Sequence, residues 1–200
     1  MLEIQLIRHG MTEGNKYGRY IGVTDEPLCE EGKEALKKFS YNEPEMLFVS
    51  PLLRCRETAD ILFPNKEQRI IENLSECNFG EFENKNYKEL DGSTSYQAWV
   101  DSNGTLPFPG GESPEGFKER SLKGFFEVVE ICRQCQCKYA AVVAHGGTIM
   151  SVMEALAEEK KEFYQWHVKN GEGYLIKVAE DGNGEGCQIK AAEEGEKNAE

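Results

Sequence analysis

The sequence predicts an α/β fold built on a mainly parallel sheet. Short apolar runs end abruptly at small or polar residues, helical patterns lie between them, and no apolar run approaches the length of a membrane span. The run from Leu2 to Ile7 is a first buried strand, closing on Arg8-His9-Gly10. A polar, Gly-rich loop continues to Leu28, and residues 30–39 read as a helix. Met46 to Val49 form a second strand, stopped by Ser50-Pro51, and residues 52–63 a helix with Pro64 just beyond its end. Arg69 to Ile71 suggest a short third strand. Tyr139 to Ala144 are an entirely apolar strand that ends at His145-Gly146-Gly147 and leads into a helix reaching about Ala157. Tyr174 to Val178 and Cys187 to Lys190 read as a final hairpin or edge pair around Asp181-Gly-Asn-Gly184.

Residues 74–113 have another texture. Weak amphipathic pieces alternate with Gly, Asn, Ser and Pro, which suits an insertion or lid over a site better than a second domain. Glu115 to Cys132 follow as an amphipathic helix, with Phe117, Phe125, Val128, Val129 and Cys132 on one face. A single domain is expected over residues 1–192, with 193–200 a charged, disordered tail.

The net charge of −13 argues against nucleic acid or an anionic membrane as the main partner, since both need a basic footprint. The N-terminus starts a strand at once, without the pattern of a signal peptide, so a cytoplasmic location is expected. Seven cysteines (29, 55, 77, 132, 135, 137 and 187) are an odd, scattered set that reads as reduced thiols. Cys132, Cys135 and Cys137 lack a second Cys/His pair at matching spacing, so buried-face and turn positions explain them better than a metal site does.

In open α/β sheets, ligands bind outside the carboxyl ends of the strands. That rule gathers residues from four separate stretches: His9, Ser50 with Arg54, Glu76, and His145. Their types suit phosphoryl transfer. An imidazole attacks phosphorus directly, giving a phosphohistidine and dividing one displacement into two. The transferring group carries charge on three oxygens, which planar Arg forks bind two at a time. Arg8 and Arg54 supply the forks, His145 a further donor when protonated, and Gly146 a close backbone N–H. Glu76, in the segment that should fold over the site, is the candidate acid, with Glu72, Glu81 and Glu83 as rivals. Arg56 reads as a solvated helix residue and His167 as structural. Glu112, Ser113 and Arg120 either reach the substrate or flank the following helix, where Ser113-Pro114 makes a good N-cap and first-turn proline.

Four segments, in order, resemble the signature stretches of the histidine phosphatase (phosphoglycerate mutase-like) superfamily: Leu6 to Asn15, Ser50 to Ala59, Leu74 to Glu83, and Ala144 to Thr148. The resemblance implies a phosphohistidine at His9, a phosphate pocket of Arg8, Asn15, Arg54 and His145, and Glu76 as proton donor. It also implies a three-layer α/β/α sandwich, with no metal and no cofactor. Arg19 to Leu28, Phe79 to Glu83 and Pro109 to Ser113 are most similar to the α-ribazole phosphatase branch. Cys29 stands where that branch usually has a helix-capping Thr, and Asn84 where it usually has Gly.

The expected function is therefore a phosphomonoesterase acting on a small phosphorylated metabolite, with α-ribazole phosphate of cobalamin assembly as the first candidate. Phosphoglycerate mutase and a broad sugar phosphate or phosphoserine phosphatase are the alternatives within enzymes. A catalytically silent phosphate-binding module is the alternative outside them. The mutase reading is weakened because no Arg lies between Leu74 and Gly111, where its family form carries paired arginines. The silent module is disfavoured because both His9 and Glu76 are present.

Overall fold

Side chains alternate across a strand, so each apolar strand feeds two layers. The computed structural model describes residues 1–178 and 189–194. Along the chain it contains β1 (Leu2–Arg8), α1 (Glu13–Lys16), α2 (Glu30–Leu36), β2 (Met46–Val49), α3 (Leu53–Leu62), β3 (Gln68–Ile70), α4 (Thr94–Asp101), α5 (Pro114–Gln134), β4 (Tyr139–Ala144), α6 (Gly146–Leu156), β5 (Gly173–Val178) and β6 (Ile189–Glu194). The strands form one six-stranded sheet in the order β3-β2-β4-β1-β5-β6. The β3, β2, β4 and β1 neighbours are parallel, while β5 pairs antiparallel with both β1 and β6.

Leu2, Ile4 and Leu6, with Phe48, Ala140, Val142 and Ala144, point to one side. There they meet Phe125, Val128, Val129 and Cys132 of α5 and Ile149, Val152 and Met153 of α6. Ile7, Leu47, Val49, Ala141 and Val143 point to the other side, against Cys55 and Ala59 of α3. The result is the expected three-layer α/β/α sandwich. No helix among the described residues is long and apolar enough to cross a membrane.

Several boundaries differ from the sequence reading. The helix expected over 30–39 closes at Leu36, and Cys29 caps it through its sulfur, which accepts the Gly32 N–H at 3.3 Å. Asn84 has φ of +56°, a left-handed position where Gly costs nothing and Asn is tolerated. The final pair lies at one edge of the sheet as expected, with β6 the edge and β5 the inner strand. Its partner β6 runs through Glu193 and Glu194, two residues read as the start of the tail. Cys187, the turn at 181–184 and residues 195–200 lie outside the described residues.

The 74–113 segment holds two 3-10 turns, Glu72–Leu74 at its start and Gly80–Phe82, together with α4. It has a core of its own, made of Cys77, Phe82, Leu90, Phe108 and Phe117, against which Tyr20, Phe79, Tyr96 and Trp99 pack. Phe82 sits edge-on to Tyr96, Trp99 and Phe108, with centroids 5.4, 6.0 and 5.8 Å away.

Phe125 is fully buried where α5 meets the sheet. Phe125→Ala should lower unfolding stability by about 3–5 kcal/mol, read from the denaturant midpoint. A loss below about 1 kcal/mol would mean that α5 is not packed as core.

Candidate active site

Parallel register sets the site. Arg8 pairs with Ala144, and Val49 pairs with both Val143 and Ile70, so the strands end at one level. The His9 N–H continues the ladder to the Ala144 carbonyl at 3.0 Å, which places His9 beside His145. Their rings lie 5.2 Å apart.

His9 is 3% exposed, and its Nδ1 is 2.7 Å from the Gly10 carbonyl oxygen. A carbonyl only accepts, so Nδ1 carries the hydrogen and the neutral ring keeps its lone pair on Nε2. Burial first, then the charges of Arg54 and Arg8, hold its pKa well below the ordinary 6.5. The Gly10 N–H is tied to the Thr58 hydroxyl of α3 at 2.8 Å, which fixes the turn carrying this carbonyl.

Arg54, on the first turn of α3, is fully buried. It donates to the Thr24 and Gly22 carbonyls, each at 2.9 Å, and to Ile21 at 3.3 Å. Arg8 donates to the Val168 carbonyl at 2.7 Å and to His167 Nε2 at 3.1 Å. The Nε–H groups of both arginines are buried without a partner. A buried charged donor left unpaired is rare and points to a ligand or ion at that place.

The loop that holds Arg54 is itself clamped. Glu83 accepts the Gly22 and Val23 N–H groups at 3.2 and 2.9 Å, the Thr24 hydroxyl at 2.8 Å and the Phe79 N–H at 3.1 Å. A Cβ at Gly22 would overlap the Cys77 carbonyl oxygen, so only glycine brings the loop this close to the Glu76 segment.

Glu76 is 8% exposed, accepting the Cys77 N–H at 2.9 Å and the Gly147 N–H at 3.2 Å. A Cβ on Gly147 would stand 2.5 Å from its Oε1, so that carboxyl needs a glycine at the start of α6. Burial raises the Glu76 pKa above 4.5, against the opposing pull of the Cys77 N–H, Arg54, the Gly147 N–H and Arg8. Of its three rivals, Glu83 serves the loop clamp, and Glu72 and Glu81 are exposed to solvent.

His145 is a charged donor only when protonated, and its surroundings oppose that. Its Nε2 lies 2.7 Å from the Ser50 hydroxyl, and burial, followed by Arg54, His9 and Arg8, drives its pKa well below 6.5. Without a bound anion it is neutral. Cys55 Sγ is 3.5 Å from the same nitrogen, but burial pushes this thiol up to about 12, so it is no thiolate.

Asn15 is at the same edge. Its Oδ1 closes a capping box with Thr12 and accepts from Asn170 Nδ2 at 3.2 Å, which also donates to the His9 carbonyl at 2.9 Å. Only the Asn15 amide N–H groups are left for a ligand. Gly146 starts α6 next to Arg8, whose Nε would be 3.4 Å from a Cβ there. Arg56 is exposed and Ser113 caps α5, as read. His167, read as structural, supports Arg8 through its Nε2. Thr58, Asn170 and Val168 were missed, the last acting through its main chain, which no side-chain pattern reports; Glu83 was read as a rival acid and not as the loop clamp.

A family model described as histidine phosphatase superfamily (branch 1) matches residues 4–186. An adenosylcobalamin/α-ribazole phosphatase of Salmonella typhimurium is 28% identical over 183 residues, covering 86% of this chain and 87% of that protein. A 2,3-bisphosphoglycerate-dependent phosphoglycerate mutase of Rhizobium etli is 30% identical over 174 residues, covering 78% and 80%. The α-ribazole phosphatase structure from Shigella flexneri superposes with a TM-score of 0.78 over 96% of each chain; at 21% identity it speaks to the fold alone.

Removing the clamp tests its weight. Glu83→Ala removes four hydrogen bonds, three of them part-buried, and should cost about 1–3 kcal/mol of unfolding stability, measured in denaturant. An unchanged midpoint would show that the loop over Arg54 holds itself.

Proposed function

Because the chain belongs to the histidine phosphatase superfamily, we propose that it hydrolyses a small-metabolite phosphate monoester through a phosphohistidine at His9. One observation carries this reading. The bare Nε2 of His9 lies in the field of two guanidinium groups, Arg8 and Arg54, whose buried Nε–H donors have no partner.

The phosphoryl oxygens take the places those donors leave open, with the Asn15 amide, the Gly146 N–H and His145 as further donors. His145 gains its proton only when a dianion offsets the surrounding positive charge. The His9 Nε2 lone pair forms the N–P bond as the P–O bond to the alcohol breaks. The Glu76 carboxyl gives its proton to the departing oxygen, and its raised pKa keeps that proton available. The ring gains positive character as it is phosphorylated, and the Nδ1–H bond to Gly10 strengthens accordingly. Glu76, now a carboxylate, takes a proton from water, the water oxygen attacks phosphorus, the N–P bond breaks, and phosphate leaves.

The positive charge comes from side chains, and we propose that no metal ion is required. Phosphatase is favoured over mutase. A mutase must hold a substrate carboxylate, yet the 74–111 stretch contains no Arg, and its Lys85 is exposed and bonded to the Glu81 carbonyl. The likeness to α-ribazole phosphatases makes α-ribazole phosphate the first substrate to try. Free thiols at Cys55, Cys77, Cys132 and Cys137 fit a reducing, cytoplasmic setting.

The purified protein should turn over an aryl phosphate, and α-ribazole phosphate faster than phosphoserine or phosphoglycerate. His9→Ala should abolish turnover, and a chelator should leave it unchanged. Equal activity in His9→Ala would sink the mechanism, and loss of activity with chelator would sink the metal-free reading.

The pH profile follows from the two shifts. His9 must be neutral, so kcat/KM rises with pH through its depressed pKa, on a limb below 6.5. Glu76 must be protonated, so kcat/KM falls with rising pH through its raised pKa, on a limb above 4.5. Glu76→Gln should lose the alkaline limb relative to the parent on the same substrate, whose own ionisation is common to both. A limb that survives unchanged would assign it to another group.

A further inference from the structure

Arg120, one turn and a half into α5, reaches back under the Glu76 segment. Its Nε and Nη2 donate to the two Glu112 carboxylate oxygens at 2.9 and 2.8 Å. Its Nη1 donates to the Asn73 and Ser75 carbonyls at 3.2 and 2.9 Å, and Nη2 also reaches the Glu76 carbonyl at 3.2 Å. Glu112 accepts the Asn78 N–H at 2.8 Å as well. One ion pair thus grips the main chain on both sides of Glu76. We propose that Arg120, paired with Glu112, is the positioning residue that aims the Glu76 carboxyl at the leaving oxygen. The inference rests on Glu76 being the proton donor.

The geometry separates aiming from charge. The guanidinium binds the Glu76 carbonyl and leaves the carboxyl to Cys77 and Gly147. Only an Arg fork reaches three carbonyls and a carboxylate together; a Lys ammonium has three donors and no planar spread. Glu112 supplies the second half of the device. Burial alone would raise its pKa, but the Arg120 hydrogen bonds, the Asn78 N–H and the Arg120 charge hold it below the ordinary value. It is therefore ionised and cancels the cation. A bare guanidinium in this place would favour the Glu76 carboxylate and strip the proton the reaction needs. Proton transfer depends steeply on distance and angle, so a loosened segment costs rate without removing any reacting group.

Leaving groups distinguish this role from a merely structural one. A dinitrophenolate departs without a proton, whereas a primary alkoxide requires one. The measurement is kcat/KM, which covers steps through alcohol departure, for a dinitrophenyl phosphate and a primary alkyl phosphate. It is made in the parent, Glu76→Gln, Arg120→Lys, Glu112→Gln and the Glu76→Gln/Arg120→Lys double variant. Comparing two substrates in one preparation cancels any loss of folded protein.

Arg120→Lys and Glu112→Gln should lose about 10-fold to 100-fold on the alkyl ester and less than about threefold on the activated one. Glu76→Gln should show the same selectivity, and the double variant should be no worse than Glu76→Gln on the alkyl ester. Equal losses on both esters in Arg120→Lys, or additive losses in the double variant, overturn the inference while Glu76 stays the acid. Equal losses on both esters in Glu76→Gln overturn the acid assignment itself, and the positioning role with it.

Discussion

Two guanidinium groups, the buried Arg54 and the part-buried Arg8, stand at the carboxyl end of the sheet, with carbonyls and a neutral imidazole as their direct partners. Carbonyls solvate a cation but leave its charge in place, and the rest of the site is arranged around that surplus. After burial, which is the larger cause, it holds both histidines unprotonated, and it opposes the rise in the Glu76 pKa that burial imposes. The chain as a whole is strongly acidic, so attraction for an anion has to come from a local concentration of positive charge such as these two groups provide.

Holding a cation on carbonyls requires a main chain that presents them. The 21–24 loop does so because Glu83 collects its N–H groups and because Gly22 permits contact with the Cys77 carbonyl. The 167–168 stretch does so for Arg8, next to Asn170, which is bonded to the His9 carbonyl. Each guanidinium is thus backed by backbone from a distant part of the chain. The hydrogen bond from His9 Nδ1 to Gly10 belongs to the same scheme, since it decides which nitrogen faces the substrate.

The layers and the strand ends were legible because buried parallel strands are continuous apolar runs, and the residue after each run is delivered to one edge. Arg8, His9, Arg54 and His145 follow from that rule, and β4 matches its expected bounds at Tyr139 and Ala144. What stayed hidden has physical causes. No residue of α4 is fully buried, and its packed face is little more than Tyr96 and Trp99, too short a stripe to mark Thr94 to Asp101 as a helix. The four-residue α1 depends on the Thr12–Asn15 capping box more than on periodicity. Val168 contributes a carbonyl from 160 positions away, and Glu83 looked like an acid because backbone donors do not show in a string of letters. The protonation of His145 depends on summed charge and burial, which only coordinates supply.

The aromatic packing of the 74–113 segment has a consequence for how such a protein diverges. Phe82 and its neighbours hold themselves together, and they meet the reacting edge mainly through Cys77, which follows Glu76, and Phe117, which adjoins Gly147. Drift within that aromatic unit can proceed while the histidine pair keeps its surroundings, provided that Cys77, Phe117 and the Glu83 clamp on the 21–24 loop are kept.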